Sequence, residues 1–95
     1  MTNYAIFIDG ENFLLNLEGE DKRFGFFVTK NVRSECESRA IERAIASIKS
    51  DPKFAQAYER SHLVEPTLTV KVVHILDKNN VMGDTGYTFY PMEDQ

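Results

Sequence analysis

One segment with helical periodicity divides this chain into two pairs of strand-like segments, and this order constrains the fold more than any other feature. The helical segment repeats its apolar residues at positions i, i+3, i+4 and i+7, which is typical of a helix with one face packed on a sheet. These residues are Ile41, Ala44, Ile45 and Ile48. Short strand-like segments precede and follow it, so the predicted order of elements is ββα(α)ββ, as in an α+β domain.

Two strands are predicted before the helix. Residues 4–8 are rich in aromatic and β-branched side chains on both faces, which indicates a strand in the centre of a sheet. Gly10 interrupts this pattern, and residues 13–17 either continue the strand beyond a glycine bulge or begin a helix. Residues 18–23 are a charged connector with a glycine, for which we expect a hairpin loop. The inward face of the next strand then comprises Phe24, Phe26, Val28 and Val32.

Two consecutive helices are predicted in the middle of the chain. The main helix is expected to begin at Ser34, since Ser34 and Glu37 have the spacing of a capping box. Asp51 and Pro52 end it and begin a short second helix, because Asp is a favourable N-cap and proline suits the first helical position. The apolar side of the second helix comprises Phe54, Ala57 and Tyr58.

Two further strands are predicted after the helices. Residues 67–76 form the third strand, whose alternation is clear at first and ambiguous over its last four residues. Its inward positions are Leu68, Val70 and Val72. Residues 86–91 form a short fourth strand that Pro91 ends, as is typical of an edge strand.

The connections between these strands predict the order of the sheet. A right-handed crossover through the helices makes the third strand parallel to the second and antiparallel to the first. If the other connections are hairpins, the sheet order is 2-1-3-4, with the first and third strands central and all neighbours antiparallel. The helices then cover one face, which predicts a two-layer sandwich. With 95 residues, close to the ~100–150 of most domains, the chain is expected to be a single domain over residues 1–95.

Composition excludes several classes of function. The chain has 15 acidic and 11 basic residues, and its net charge of −4 argues against nucleic-acid binding, because a phosphate backbone recruits Lys and Arg. Its single cysteine, Cys36, cannot form an internal disulfide, and no signal peptide is recognisable, so we expect a cytoplasmic protein. No apolar run approaches the ~20 residues of a membrane-spanning helix. No glycine-rich phosphate loop occurs, and no cofactor is expected.

Three further residues have side chains suited to chemistry. Cys36 lies in the first turn of the predicted helix, where the helix dipole favours a thiolate, but Glu35 and Glu37 beside it are expected to raise a thiol pKa. His62 and His74 lack the three or four donors that a zinc site needs, so no metal site is predicted. We interpret Cys36 and both histidines as structural residues.

The segment Phe7–Asn12, with the sequence Phe-Ile-Asp-Gly-Glu-Asn, resembles the opening motif of NYN/PIN-like nucleases. In that family the Asp helps to hold a divalent metal, so the resemblance implies a metal-dependent ribonuclease that uses Asp9 with Asp77 or Asp84. However, the chain lacks the alternating strands and helices of such nucleases, and the predicted sheet places Asp9 and Asp77 at opposite ends. The nuclease is therefore the alternative prediction.

A second resemblance extends over most of the chain. Several segments, together with the alanine-rich helix, are similar to a family of small bacterial proteins of unknown function. These segments are residues 10–15, 25–32, 66–70 and 86–91. This resemblance implies no catalytic residues, and it implies that Asp9 belongs to a strand with a bulge that leads into Phe13.

The predicted sheet suggests an interaction surface. One helical layer cannot cover both faces of a four-stranded sheet, so an apolar second face requires a partner. The candidate contacts on that face are Phe7, Phe27, Val73 and Ile75. We therefore predict a non-enzymatic protein-interaction domain that forms a homodimer or binds another, basic protein. The remaining strand aromatics are interpreted as core or dimer contacts rather than as a base-stacking platform, because such platforms have basic surroundings. They are Phe24, Phe26, Tyr87, Phe89 and Tyr90.

Overall fold

The computed structural model describes residues 1–17, 19–77 and 84–92. The order of elements confirms the prediction ββα(α)ββ. The elements are β1 (Thr2–Asn16), β2 (Asp21–Ser34), α1 (Glu37–Lys49), a 3₁₀ turn (Pro52–Phe54), α2 (Ala55–Glu59), β3 (Thr67–Leu76) and β4 (Thr88–Pro91). The predicted hairpin between the first two strands is present, although residue 18 of its connector lies outside the described residues. Neither helix, within these ranges, is long and apolar enough to cross a membrane.

The four strands form one antiparallel sheet, as predicted, but their order is β3-β1-β2-β4. The predicted order 2-1-3-4 is wrong, because β4 pairs with β2 and not with β3. Beside β2, the Phe89 ring packs against Phe26 on one face and the Tyr90 ring packs against Phe27 on the other. These side-chain contacts place β4 at the opposite edge from β3, so the central strands are β1 and β2.

β1 continues past Gly10 to Asn16, so the strand alternative for residues 13–17 is the one observed. The β1–β2 register shifts between Gly10 and Phe13, and Asn12 has a left-handed backbone with φ of 62°. This bulge changes the alternation by one residue, so Phe13 is buried on the same face as Ile8.

The main helix begins at Glu37, three residues later than predicted. Ser34 is the last residue of β2, where it pairs with Thr2. Its backbone is therefore part of the sheet, and the capping box does not form. Cys36 is the N-cap and makes no side-chain capping hydrogen bond. The prediction that Asp51 caps the next helical segment is confirmed, since the Asp51 carboxylate accepts a hydrogen bond from the Lys53 amide at 3.0 Å.

One hydrophobic core lies between the helices and one face of the sheet. Its centre is aromatic: the Phe54 ring lies 5.2 Å from Phe13, 4.9 Å from Phe26 and 4.9 Å from Tyr87. Edge-to-face and offset ring contacts of this kind add to the burial of apolar area. The α1 residues in the same core are Ala40, Ala44 and Ile48.

A second bulge changes the face of the residues in the second half of β3. Val70 pairs with Ile8 whereas Val72 pairs with Phe7, so Lys71 is an extra residue. As a result Val73 packs against the core and Val72 points to the other face. The predictions that Val72 is inward and that Val73 lies on the second face are therefore both wrong.

Candidate functional site

We call the face of the sheet opposite the helices the uncovered face. Its apolar centre consists of Phe7, Phe27, Val72 and Tyr90. The Phe7 and Phe27 rings stack with centroids 5.7 Å apart, and the Tyr90 ring lies 5.2 Å from Phe27. Val72 stands directly opposite Phe7 on β3. Phe27 is 38% exposed and Val72 is 41% exposed, so two large side chains of this cluster contact solvent.

Asp9 is a buried carboxylate on the same face, only 6% exposed. The Tyr90 hydroxyl donates a hydrogen bond to its Oδ1 atom at 2.9 Å. Burial, the hydrogen bond to Asp9 and the negative charges of Asp9 and Glu11 raise the pKa of Tyr90 to about 12. Tyr90 therefore stays protonated at neutral pH and acts as a hydrogen-bond donor that satisfies Asp9.

Gly25 explains why Tyr90 can reach Asp9. Gly25 pairs directly with Tyr90 in the β2–β4 ladder, and a Cβ atom at Gly25 would overlap the Tyr90 ring. The sequence prediction missed this Tyr90–Asp9 pair. The available signal was the isolated glycine within a strand of aromatic residues, since such a glycine indicates the close approach of another group.

The three carboxylates of the nuclease alternative do not converge in the structure. Asp9 pairs with Thr69, and Asp77 lies eight residues further along the β3 direction, a distance of about 26 Å at the rise of an extended strand. Asp84 accepts a hydrogen bond from the Asn31 amide at 2.7 Å, next to the edge of β2. Across the described ranges no group of three or more His, Cys, Asp or Glu side chains is placed to hold a metal ion.

Cys36, His62 and His74 lie on separate parts of the fold. Cys36 is exposed before α1, and its Sγ atom is 3.4 Å from the Ser38 hydroxyl. The hydrogen bonds from Ser38 and from the backbone of Arg39 lower the pKa of Cys36, so the expected rise caused by its acidic neighbours is wrong. His62 is exposed in the turn after α2, and His74 is exposed on β3 opposite Ala5.

The strand aromatics divide between the two faces of the sheet. Phe27 and Tyr90 belong to the uncovered face, so the aromatic side chains do not form one base-stacking platform. Those that join or pack against the core are Phe24, Phe26, Tyr87 and Phe89. Ile75 pairs with the core residue Tyr4, which places it on the helix side of β3, so the prediction that it lies on the second face is wrong. It is nevertheless 71% exposed.

The two edges of the sheet differ. Beyond β4, the edge of β2 is closed by side chains: the Asn31 amide donates to Asp84, and the Arg43 guanidinium donates to the Arg33 carbonyl at 2.7 Å. β3 is the other edge, and no element of the described chain pairs with its outer side. Exposed strand edges bind further strands unless charges, bulges or coverings prevent it. The sequence prediction missed this edge because it placed β4 there.

No protein-family model, curated protein or solved structure matches this chain. The resemblance to NYN/PIN-like nucleases and that to small bacterial proteins therefore stay predictions.

Proposed function

We propose that this chain is a non-enzymatic protein-interaction domain that binds a second copy of itself through the sheet residues that the helices leave exposed. The observation that carries this proposal is the exposure of Val72 and Ile75 on the edge strand β3. Val72 adjoins the apolar cluster of Phe7 and Phe27 on the uncovered face, and Ile75 lies on the helix side of the same strand. Exposed apolar side chains on a strand edge that no element of the described chain pairs with mark an interaction site more often than a free surface.

The physical reason is the hydrophobic effect. Each Å² of apolar surface removed from water contributes about 25 cal/mol, so covering this surface favours association. The chain is acidic overall, but Phe27 and Val72, the exposed apolar side chains of the uncovered face, carry no charge. Contact through these side chains therefore brings no like charges of their own together.

Sedimentation velocity from low micromolar to several hundred micromolar protein tests this proposal. We expect a reversible dimer and a dissociation constant about tenfold higher for Val72→Thr, which keeps the β-branched shape but replaces one methyl group with a hydroxyl. Leu63→Thr is the matched control, because Leu63 is 64% exposed but lies in the turn after α2. A wild-type monomer at all concentrations, or equal effects of both substitutions, would contradict the proposal.

A further inference from the structure

The outer edge of β3 is unpaired within the described chain. We propose, resting on the proposed function, that β3 pairs antiparallel with β3 of a second copy around a two-fold axis at His74. The result is one continuous eight-stranded sheet. Antiparallel strand addition provides main-chain hydrogen bonds along the contact, and a two-fold axis lets the same surface serve both copies.

The exposed apolar side chains of β3 favour edge pairing over packing of one uncovered face on another. Val72 stands opposite Phe7 on the uncovered face, whereas Ile75 stands opposite Tyr4 on the helix side. A partner lying on one face would leave the other side chain in water. A strand beside β3 contacts side chains on both faces, because side chains of neighbouring strands meet on each side of a sheet.

The bulge at Lys71 restricts the register of such a pair. Directly opposed residues must lie on the same face of the sheet. With His74 opposite itself, Val72 meets Leu76 of the second copy and Val73 meets Ile75 of the second copy, and each of these pairs shares a face. Both contacts occur twice, and each covers one of the exposed apolar residues.

Charge complementarity favours this register. The next residues outward are Lys71 and Asp77, so each Lys71 meets Asp77 of the second copy, and the dimer contains two such pairs. Another register that matches the faces, centred between Lys71 and Val72, places the two lysines and the two bulges beside each other. β3 itself contains no acidic residue, in a chain whose net charge is −4. Pairing β3 with itself thus brings no two acidic residues of this strand opposite each other.

A charge-exchange experiment tests the register. Lys71→Asp and Asp77→Lys should each raise the dissociation constant of the dimer about tenfold, because each places like charges opposite each other twice. The double variant should restore it to within about threefold of the wild type. Six residues separate the two positions in one chain, about 20 Å along a strand, so the rescue requires a second copy.

A cross-link provides an independent readout. His74→Cys in a Cys36→Ser background should form an intermolecular disulfide, since directly opposed strand residues have Cα atoms about 4.5–5.5 Å apart, within disulfide range. Thr69→Cys in the same background is the matched control, because Thr69 is on the same strand and face but away from the axis. It should stay a thiol under the same oxidation.

The outcomes separate this inference from the function on which it rests. Rescue by the double exchange together with the selective disulfide supports the edge-paired dimer. A dimer that shows neither rescue nor the disulfide at position 74 overturns the edge pairing and leaves self-association standing. A protein that stays monomeric throughout the concentration series overturns both.

Discussion

Replacing Gly25 with alanine should detach the Tyr90 ring from the uncovered face. A Cβ atom at Gly25 would overlap the Cζ and hydroxyl oxygen atoms of Tyr90, and the two residues are directly paired in the β2–β4 ladder. The ring must therefore leave its position, and its hydroxyl then loses the hydrogen bond to Asp9.

The cost follows from the contacts that this movement breaks. A hydrogen bond to a charged group contributes about 1.5–3 kcal/mol, and Asp9, which is 6% exposed, would keep a poorly solvated carboxylate. The ring contact between Tyr90 and Phe27, with centroids 5.2 Å apart, contributes about 0.5–1.5 kcal/mol more. We expect Gly25→Ala to lower the free energy of unfolding by about 2–4 kcal/mol.

Equilibrium urea denaturation measures this change. Gly86→Ala is the control, because no heavy atom lies within 4 Å of a Cβ atom at Gly86, and it should change stability by less than about 0.5 kcal/mol. In a Tyr90→Ala background the overlap is absent, so Gly25→Ala should then cost less than about 0.5 kcal/mol. The reasoning is refuted if Gly25→Ala behaves like the control, or if its full cost persists without the Tyr90 ring.

Two further predictions concern the core and alkaline pH. Phe54→Ala should lower the free energy of unfolding by about 3–5 kcal/mol, because Phe54 is fully buried among other rings. The control Leu63→Ala, at an exposed position, should lower it by less than about 0.5 kcal/mol. Similar losses for both variants in urea denaturation would contradict this prediction. Folding raises the pKa values of Tyr87 and Tyr90 from 10 to about 12, so it favours their neutral forms, and the stability gained is complete below pH 10 and lost as pH rises from 10 to 12. Tyr90→Phe should reduce the loss in free energy of unfolding between pH 10 and pH 12. An unchanged loss would disprove the assignment of this pH dependence to Tyr90.

Several elements could be predicted from the sequence because they depend on neighbouring residues. The stripe of Ile41, Ala44 and Ile48 predicts α1, and the Asp51 cap predicts the start of the next turn. The capping box at Ser34 failed even though the local pattern was correct. Its backbone was already hydrogen-bonded in β2, and tertiary pairing over many residues outweighs a single cap.

The candidate site was only partly predictable. Phe7 and Phe27 were predicted on the second face, and they lie there because the alternation in β1 and β2 is regular at those positions. Val73 was misplaced because one extra residue at Lys71 reverses the alternation, and no turn residue marks that bulge. The pairing of Asp9 with Tyr90 joins residues 81 positions apart, which no local pattern reveals.

By itself the sequence determined the composition of the layers: two strands, helices with an apolar stripe, two more strands, and an antiparallel sheet. The elements follow from periodicity, which each segment carries alone, and the antiparallel pairing follows from the connections between strands. Only the tertiary structure decided which strand lies at which edge. β4 lies beside β2 because its rings pack on both faces there, and β3 is left as an edge. Which strand lies at an edge depends on the sum of long-range side-chain contacts. The proposed self-association depends in turn on β3 being an edge strand.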